Sequence, residues 1–242
     1  GGIIQTATSG GLMIGTVSGD GVLTTGGPDS GTPAAMVLAN DSTTQPMTVH
    51  ASILNNGADV ISLSKQGAGT VILTGINGYT GGTVIESGIL QIGDGGLTGT
   101  LGTGLLQNNG ELLVNRGTGS ADLQLTQNIV GAGKVTHAGA SGTRLVLRGD
   151  ASGYSGGTTL HGGILRASDA SNDNQLLSLG TAPVILNGGT LEVRANGTAD
   201  YGVIITGNGK KAMTYFSPQA PPSTRNATAA RPALATPSSS TT

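Results

Sequence analysis

Gly67-Ala-Gly-Thr-Val-Ile-Leu-Thr-Gly75, followed by Gly78-Tyr-Thr-Gly-Gly-Thr-Val-Ile85 and Gly88-Ile-Leu-Gln-Ile92, recurs further along the same chain. The second copy reads Gly139-Ala-Ser-Gly-Thr-Arg-Leu-Val-Leu-Arg-Gly149, Gly153-Tyr-Ser-Gly-Gly-Thr-Thr-Leu160 and Gly163-Ile-Leu-Arg-Ala167. Tyr79 and Tyr154 lie 75 residues apart, as do Leu90 and Leu165. Self-similarity at a long period marks a stacked-repeat architecture. Alternation inside the copies assigns faces, because successive side chains of a strand point to opposite sides. Val71/Leu145, Leu73/Leu147, Thr83/Thr158, Ile85/Leu160, Leu90/Leu165 and Ile92/Ala167 are expected inside. Glu86/His161, Gln91/Arg166, Arg144 and Arg148 are expected outside.

Two weaker signals subdivide the frame. Glycines at relative positions 1, 3 and 9 occur at Gly19/Gly21/Gly27, Gly67/Gly69/Gly75 and Gly131/Gly133/Gly139. Leu101-Gly-Thr103 with Asn109-Gly-Glu-Leu-Leu-Val114 pairs with Leu179-Gly-Thr181 and Gly188-Gly-Thr-Leu-Glu-Val193. These pieces have the roughly 20–25 residues of one solenoid coil. Strands end at Gly, Asn or Asp, which tolerate tight turns. No segment holds the helical spacing for three turns.

Composition agrees with short strands. The 242 residues include 44 Gly and no Cys or Trp, with 2% aromatic and 10% charged residues, so a conventional core is hard to fill. Disordered chains combine low hydrophobicity with high charge, whereas 36% of this chain is hydrophobic and falls in alternating runs. A net charge of −2 leaves no footprint for nucleic acid. No apolar stretch approaches the roughly 18 residues of a spanning helix.

The resulting expectation is an all-β, single-stranded parallel β-helix (β-solenoid) over 1–207, right-handed by the default of parallel crossovers. Residues of equal rank in the two copies, such as Val71 and Leu145, are expected to stack as ladders along the axis. A sandwich or barrel is disfavoured because Asn-Gly or Asp-Gly hairpin turns between long strands are isolated. The pattern stops near Gly209, and 208–242 reads as a low-complexity disordered tail rich in Pro, Ala, Ser and Thr. The chain begins Gly1-Gly2 without Met or a leader, and its last repeat dissolves, which reads as a piece of a longer, truncated or frame-shifted protein.

No catalytic, cofactor-binding or metal-binding residue is nominated, and the chain is read as non-enzymatic. His50, His137 and His161 stand apart without carboxylates at ligand spacing. No Gly-x-Ser-x-Gly elbow is present, and the Asp and Glu residues are scattered singly. Lys210 follows Gly209, but Ile204 occupies the place of the first glycine of a phosphate loop. Gly93-Asp-Gly-Gly96 reads as a turn rather than a calcium repeat. Arg148-Gly149-Asp150 is expected at an exposed corner, with a structural turn favoured over an adhesive role. Asn40-Asp-Ser42, Asn196-Gly-Thr198 and Asn226-Ala-Thr228 match the glycosylation acceptor.

The frame Gly-x-Gly-Thr-x-x-Leu-x-Gly, Tyr-Thr-Gly-Gly-Thr-x-Ile, Gly-x-Leu-Gln-Ile resembles the passenger-associated repeat of bacterial autotransporters (type V secretion). Residues 67–92 and 139–167 carry the resemblance, and 19–27 and 184–193 match in part. It implies a β-helical passenger exported through a Gram-negative outer membrane to the cell surface or medium. It also implies an outer-membrane β-barrel translocator as partner, which this chain does not contain. The implied role is a stalk that supports export and displays other domains, or an adhesin with a host-surface ligand. A chain threaded unfolded through a pore gains from having no Cys, since a disulfide loop would jam.

Overall fold

In the computed structural model, the described residues are 1–149, 152–167, 177–194, 205–207 and 212–216. All the strand pairs between windings are parallel, and among the described residues the one helical turn is the 3-10 segment Leu177–Leu179. The chain winds as a β-solenoid with three faces.

The first face is a six-stranded sheet of Gly2–Gln5, Ala34–Asn40, Ile61–Gln66, Thr83–Ile85, Leu106–Asn108 and Ile129–Val130. The second is nine-stranded and runs from Leu12–Ile14 through Met47–Val49, Thr70–Leu73, Ile89–Ile92, Glu111–Val114, Lys134–Ala138, Thr158–Gly162 and Val184–Leu186 to Ile205–Gly207. The third face is discontinuous. Val22–Leu23 and Ser52–Ile53 pair first, and a five-stranded sheet begins at Leu123–Leu125 and continues with Arg144–Leu147, Ile164–Ala167, Thr190–Arg194 and Ala212–Phe216.

Alternation within each short strand sends every second side chain inward, and the parallel register places it over its counterpart in the next winding. Met47, Val71, Leu90, Leu112 and Val135 form one column, all fully buried. On the third face Leu123, Leu145, Leu165 and Leu191 form another. At roughly 25 cal/mol per Å² of apolar surface removed from water, such columns supply the main stabilisation without aromatic bulk. All twelve residues expected inside are buried.

The expected ladder between the two copies is not what forms. Val71 stacks with Leu90 on the second face, whereas Leu145 stacks with Leu123 and Leu165 on the third. From Leu90 through Leu112 and Val135 to Thr158, three windings consume 68 residues. The remaining seven carry the chain around a corner to Leu165. The 75-residue period therefore spans three windings and one face, and equivalent residues end on different faces with equal burial.

At the C-terminal end, Ala212–Phe216 pairs in parallel with Thr190–Arg194, placing Met213 opposite Leu191 and Tyr215 opposite Val193. This strand, within the tail expected over 208–242, follows the register of the winding before it although its own sequence alternates poorly. Residues 217–242 lie outside the described residues.

Candidate functional site

Both copies of the tyrosine motif build the same local lock. Tyr79 and Tyr154 are fully buried. The Tyr79 hydroxyl bonds Thr83 Oγ1 at 2.7 Å, and the Tyr154 hydroxyl bonds Thr158. Burial pushes both phenols above their ordinary pKa, so they stay neutral. Each ring is roofed by the next winding. A Cβ on Gly102 would collide with the Tyr79 ring and carbonyl, and one on Gly180 would lie 2.9 Å from the Tyr154 ring. Thr103 N–H donates to the Tyr79 carbonyl at 2.9 Å, and Thr181 N–H to the Tyr154 carbonyl at 3.0 Å. The recurrence of Leu-Gly-Thr in the sequence is therefore the lid of the tyrosine motif.

Corners between the first and second faces are also glycine-built. Gly88 adopts φ +66°, and a Cβ there would sit 2.5 Å from the Gly67 and Gly69 carbonyl oxygens. Polar side chains seal the same corner from inside. Asn40 Nδ2 donates to the Gln45 and Thr70 carbonyls at 2.9 and 2.8 Å, and Asn108 Nδ2 to the Lys134 carbonyl at 2.9 Å. Lys65 is fully buried between Leu38 and Ile85 in an aliphatic column. Its Nζ donates to the carbonyls of Gln66, Gly67 and Ser87 at 2.9, 2.7 and 2.9 Å. Burial lowers its pKa to about 8, against the opposing pull of Asp41. The sequence reading overlooked Lys65, although Ile61, Leu63 and Lys65 alternate and so point one way.

The residues singled out in the sequence do not converge. His137 occupies an inward column between Val114 and Leu160, 1% exposed, where burial lowers its pKa and keeps it neutral. His50 Nδ1 bonds Thr74 Oγ1 at 2.7 Å, and His161 is exposed on the second face. Asp94 Oδ1 accepts from Gly96 N–H at 3.0 Å, a local turn. Gly149 is buried against the Gln127 carbonyl and Arg148 is half-buried, so this corner is covered rather than exposed; Asp150 lies outside the described residues. Asn40, the asparagine of Asn40-Asp-Ser42, is fully buried with both its amide atoms bonded, which removes it as a glycosylation acceptor. Asn196, Asn226, Ile204, Gly209 and Lys210 lie outside the described residues.

Gln91 and Arg166, expected outside, are half-buried. Charges on the outer surface pair across windings. Arg166 Nε meets Glu192 at 2.6 Å, Arg144 reaches Asp122 at 3.1 Å and Glu192 at 3.4 Å, and Lys134 meets Glu111 at 3.0 Å. Among the described residues, no group of three or more His, Asp or Glu is placed to hold a metal ion.

The passenger-associated-transport-repeat family matches residues 63–92 and 141–167, the two windings that carry the tyrosine locks. The adhesin BmaC autotransporter of Brucella suis biovar 1 (strain 1330) is 31% identical over 201 residues, covering 69% of this chain and 6% of its own length. This chain is an autotransporter passenger segment with passenger-associated transport repeats. The passenger thus spans a small fraction of the relative it matches. No solved structure matches it. The fainter frames at 19–27 and 184–193 fall outside both family matches, and neither holds a buried tyrosine.

Proposed function

We propose that this passenger segment is a non-enzymatic stalk whose winding-by-winding folding supports its export and that displays other domains at, or releases them from, the surface of a Gram-negative bacterium. The observation that carries the reading is the uninterrupted parallel ladder of the second face, in which each winding pairs with the windings before and after it. Such nearest-neighbour stacking lets folding propagate from an end, so windings emerging from an outer-membrane β-barrel translocator add to those already outside and oppose back-sliding. The non-enzymatic reading is supported by Glu111, Glu192 and Asp122 being engaged in ion pairs along the outer faces. Polar replacement tests the export role. Leu73→Asp and Leu90→Asp, each in a fully buried column, should lower surface display of the passenger carried by a translocator; unchanged display would refute it.

A second reading, an adhesin with a host-surface ligand, is favoured by the similarity to the Brucella adhesin. Purified passenger should then bind host cells saturably. Asp150→Glu separates a contribution of the Arg148-Gly149-Asp150 tripeptide from other surfaces, since only the former loses binding.

A further inference from the structure

The interruption of the third face leaves a feature that neither the repeats nor the stalk uses. Between Ser52–Ile53 and Leu123–Leu125, the chain crosses this face without forming a strand, through residues 75–79 and 97–103. Ile76 and Leu97 project from these crossings, 63% and 58% exposed. With Leu123 and Ala121 they wall a groove of about 530 Å³, within the usual range of small-molecule sites.

Arg116 also lines this groove, and it is only 6% exposed. One terminal nitrogen donates to the Leu97 carbonyl at 2.7 Å, while Nε has no hydrogen-bond partner. Among the described residues no carboxylate forms an ion pair with it; Asp122, on the same groove, is engaged by Arg144. A guanidinium this deeply buried is ordinarily paired, because desolvation penalises the lone charge. That burial lowers its pKa accords with this.

We propose that the groove binds an amphiphilic monocarboxylate of the fatty-acid type, with its carboxylate on Arg116 and its hydrocarbon chain along Ile76, Leu97 and Leu123. The unpaired buried cation calls for an anion, and the apolar walls call for a chain without hydrogen-bonding groups. An extended peptide fits less well. The Asn77 side-chain amide and Thr100 hydroxyl are already engaged, with Asn77 Nδ2 donating to the Thr100 carbonyl at 2.7 Å and Thr100 Oγ1 accepting from Asn77 N–H at 2.7 Å. A peptide backbone laid there would leave polar groups unsatisfied.

Calorimetric titration of the full chain with decanoate below its micellar concentration tests the assignment, alongside decyl maltoside, acetate and the peptide acetyl-Asp-Leu-Leu-amide. Decanoate should bind saturably at one site, at least tenfold more tightly than any of the other three. Arg116→Gln removes the charge and the terminal donor to the Leu97 carbonyl, and should weaken decanoate at least tenfold. Leu97→Ser leaves Arg116 in place on an exposed position and should weaken it by a similar factor, so the test survives a folding defect in the first variant. Equal binding of decyl maltoside, preference for the peptide, or no saturable decanoate binding at millimolar concentration would each overturn the proposal. In the last case Arg116 serves only to pin the crossing at Leu97.

Discussion

Tyr79 and Tyr154 head nearly identical motifs but stand on different faces. Tyr79 follows Gly78, whose N–H bonds the Ile53 carbonyl of the third face, whereas Tyr154 follows Gly153, bonded to the Ile129 carbonyl of the first. Each nevertheless reaches the threonine four residues on and lies under the glycine of the next Leu-Gly-Thr. The motif's requirements are therefore local to two successive windings and indifferent to the face that carries them. The copies differ in detail. Thr158 Oγ1 also reaches the Leu179 carbonyl at 3.2 Å, and Gly180 has φ +76°, while Gly102 is not in the left-handed region.

The comparison is open to direct attack by mutation. Tyr79→Ala and Tyr154→Ala should each cost about 4 kcal/mol, as large-to-small changes at buried aromatic sites do. Urea unfolding that separated the two by more than about 2 kcal/mol would break the claim that the face is immaterial. Roofing the lock comes next. Gly102→Ala and Gly180→Ala should each cost about 2 kcal/mol through collision with the tyrosine carbonyl and ring below, measured by the same unfolding curves. Partial relief of the Gly102→Ala defect by Tyr79→Leu would measure the ring's share of that cost, the remainder belonging to the Tyr79 carbonyl. Tyr79→Phe should lose about 1 kcal/mol, and Tyr154→Phe less, because Thr158 keeps the Leu179 carbonyl.

Charge sharpens the contrast in a separate way. Lys65 stacks on Ile85 of the first copy, while the residue stacked on Leu160, the equivalent of Ile85 in the second copy, is the neutral His137. The folded-state pKa of Lys65, about 8, lies below its ordinary 10.5. Between those values the unfolded chain holds a proton that the folded chain has released, so stability rises with pH across this window and is lost as pH falls toward 8. Thermal unfolding of the wild type from pH 8 to pH 10 should show that slope. Lys65→Met should flatten it, and a slope unchanged in the variant would show that other groups cause it.

Much of this architecture is legible in the sequence. Alternation in Val71-Ile72-Leu73 and Leu145-Val146-Leu147 identified the inward residues, because a strand has a strict two-residue period that a short sequence displays directly. Lys65 and His137 obey the same alternation as inward residues, and their charge or polarity masked them. The state of Arg116 was not legible: its burial depends on the crossing at Leu97 in the preceding winding. The covered corner at Gly149 depends likewise on Gln127.

The residue pattern alone determined a parallel stacked-coil fold and its interior positions, since these follow from short-range periodicity repeated twice, whereas the roofing of each tyrosine by the next Leu-Gly-Thr came from the structure. Only the tertiary structure decided which residues share a column. Windings of 19, 22 and 23 residues along Val71, Leu90, Leu112 and Val135 do not divide 75, so the accumulated rotation turned the second copy by one face. The unpaired guanidinium of Arg116 was decided there too, because an ion pair depends on which side chains the winding brings together in space.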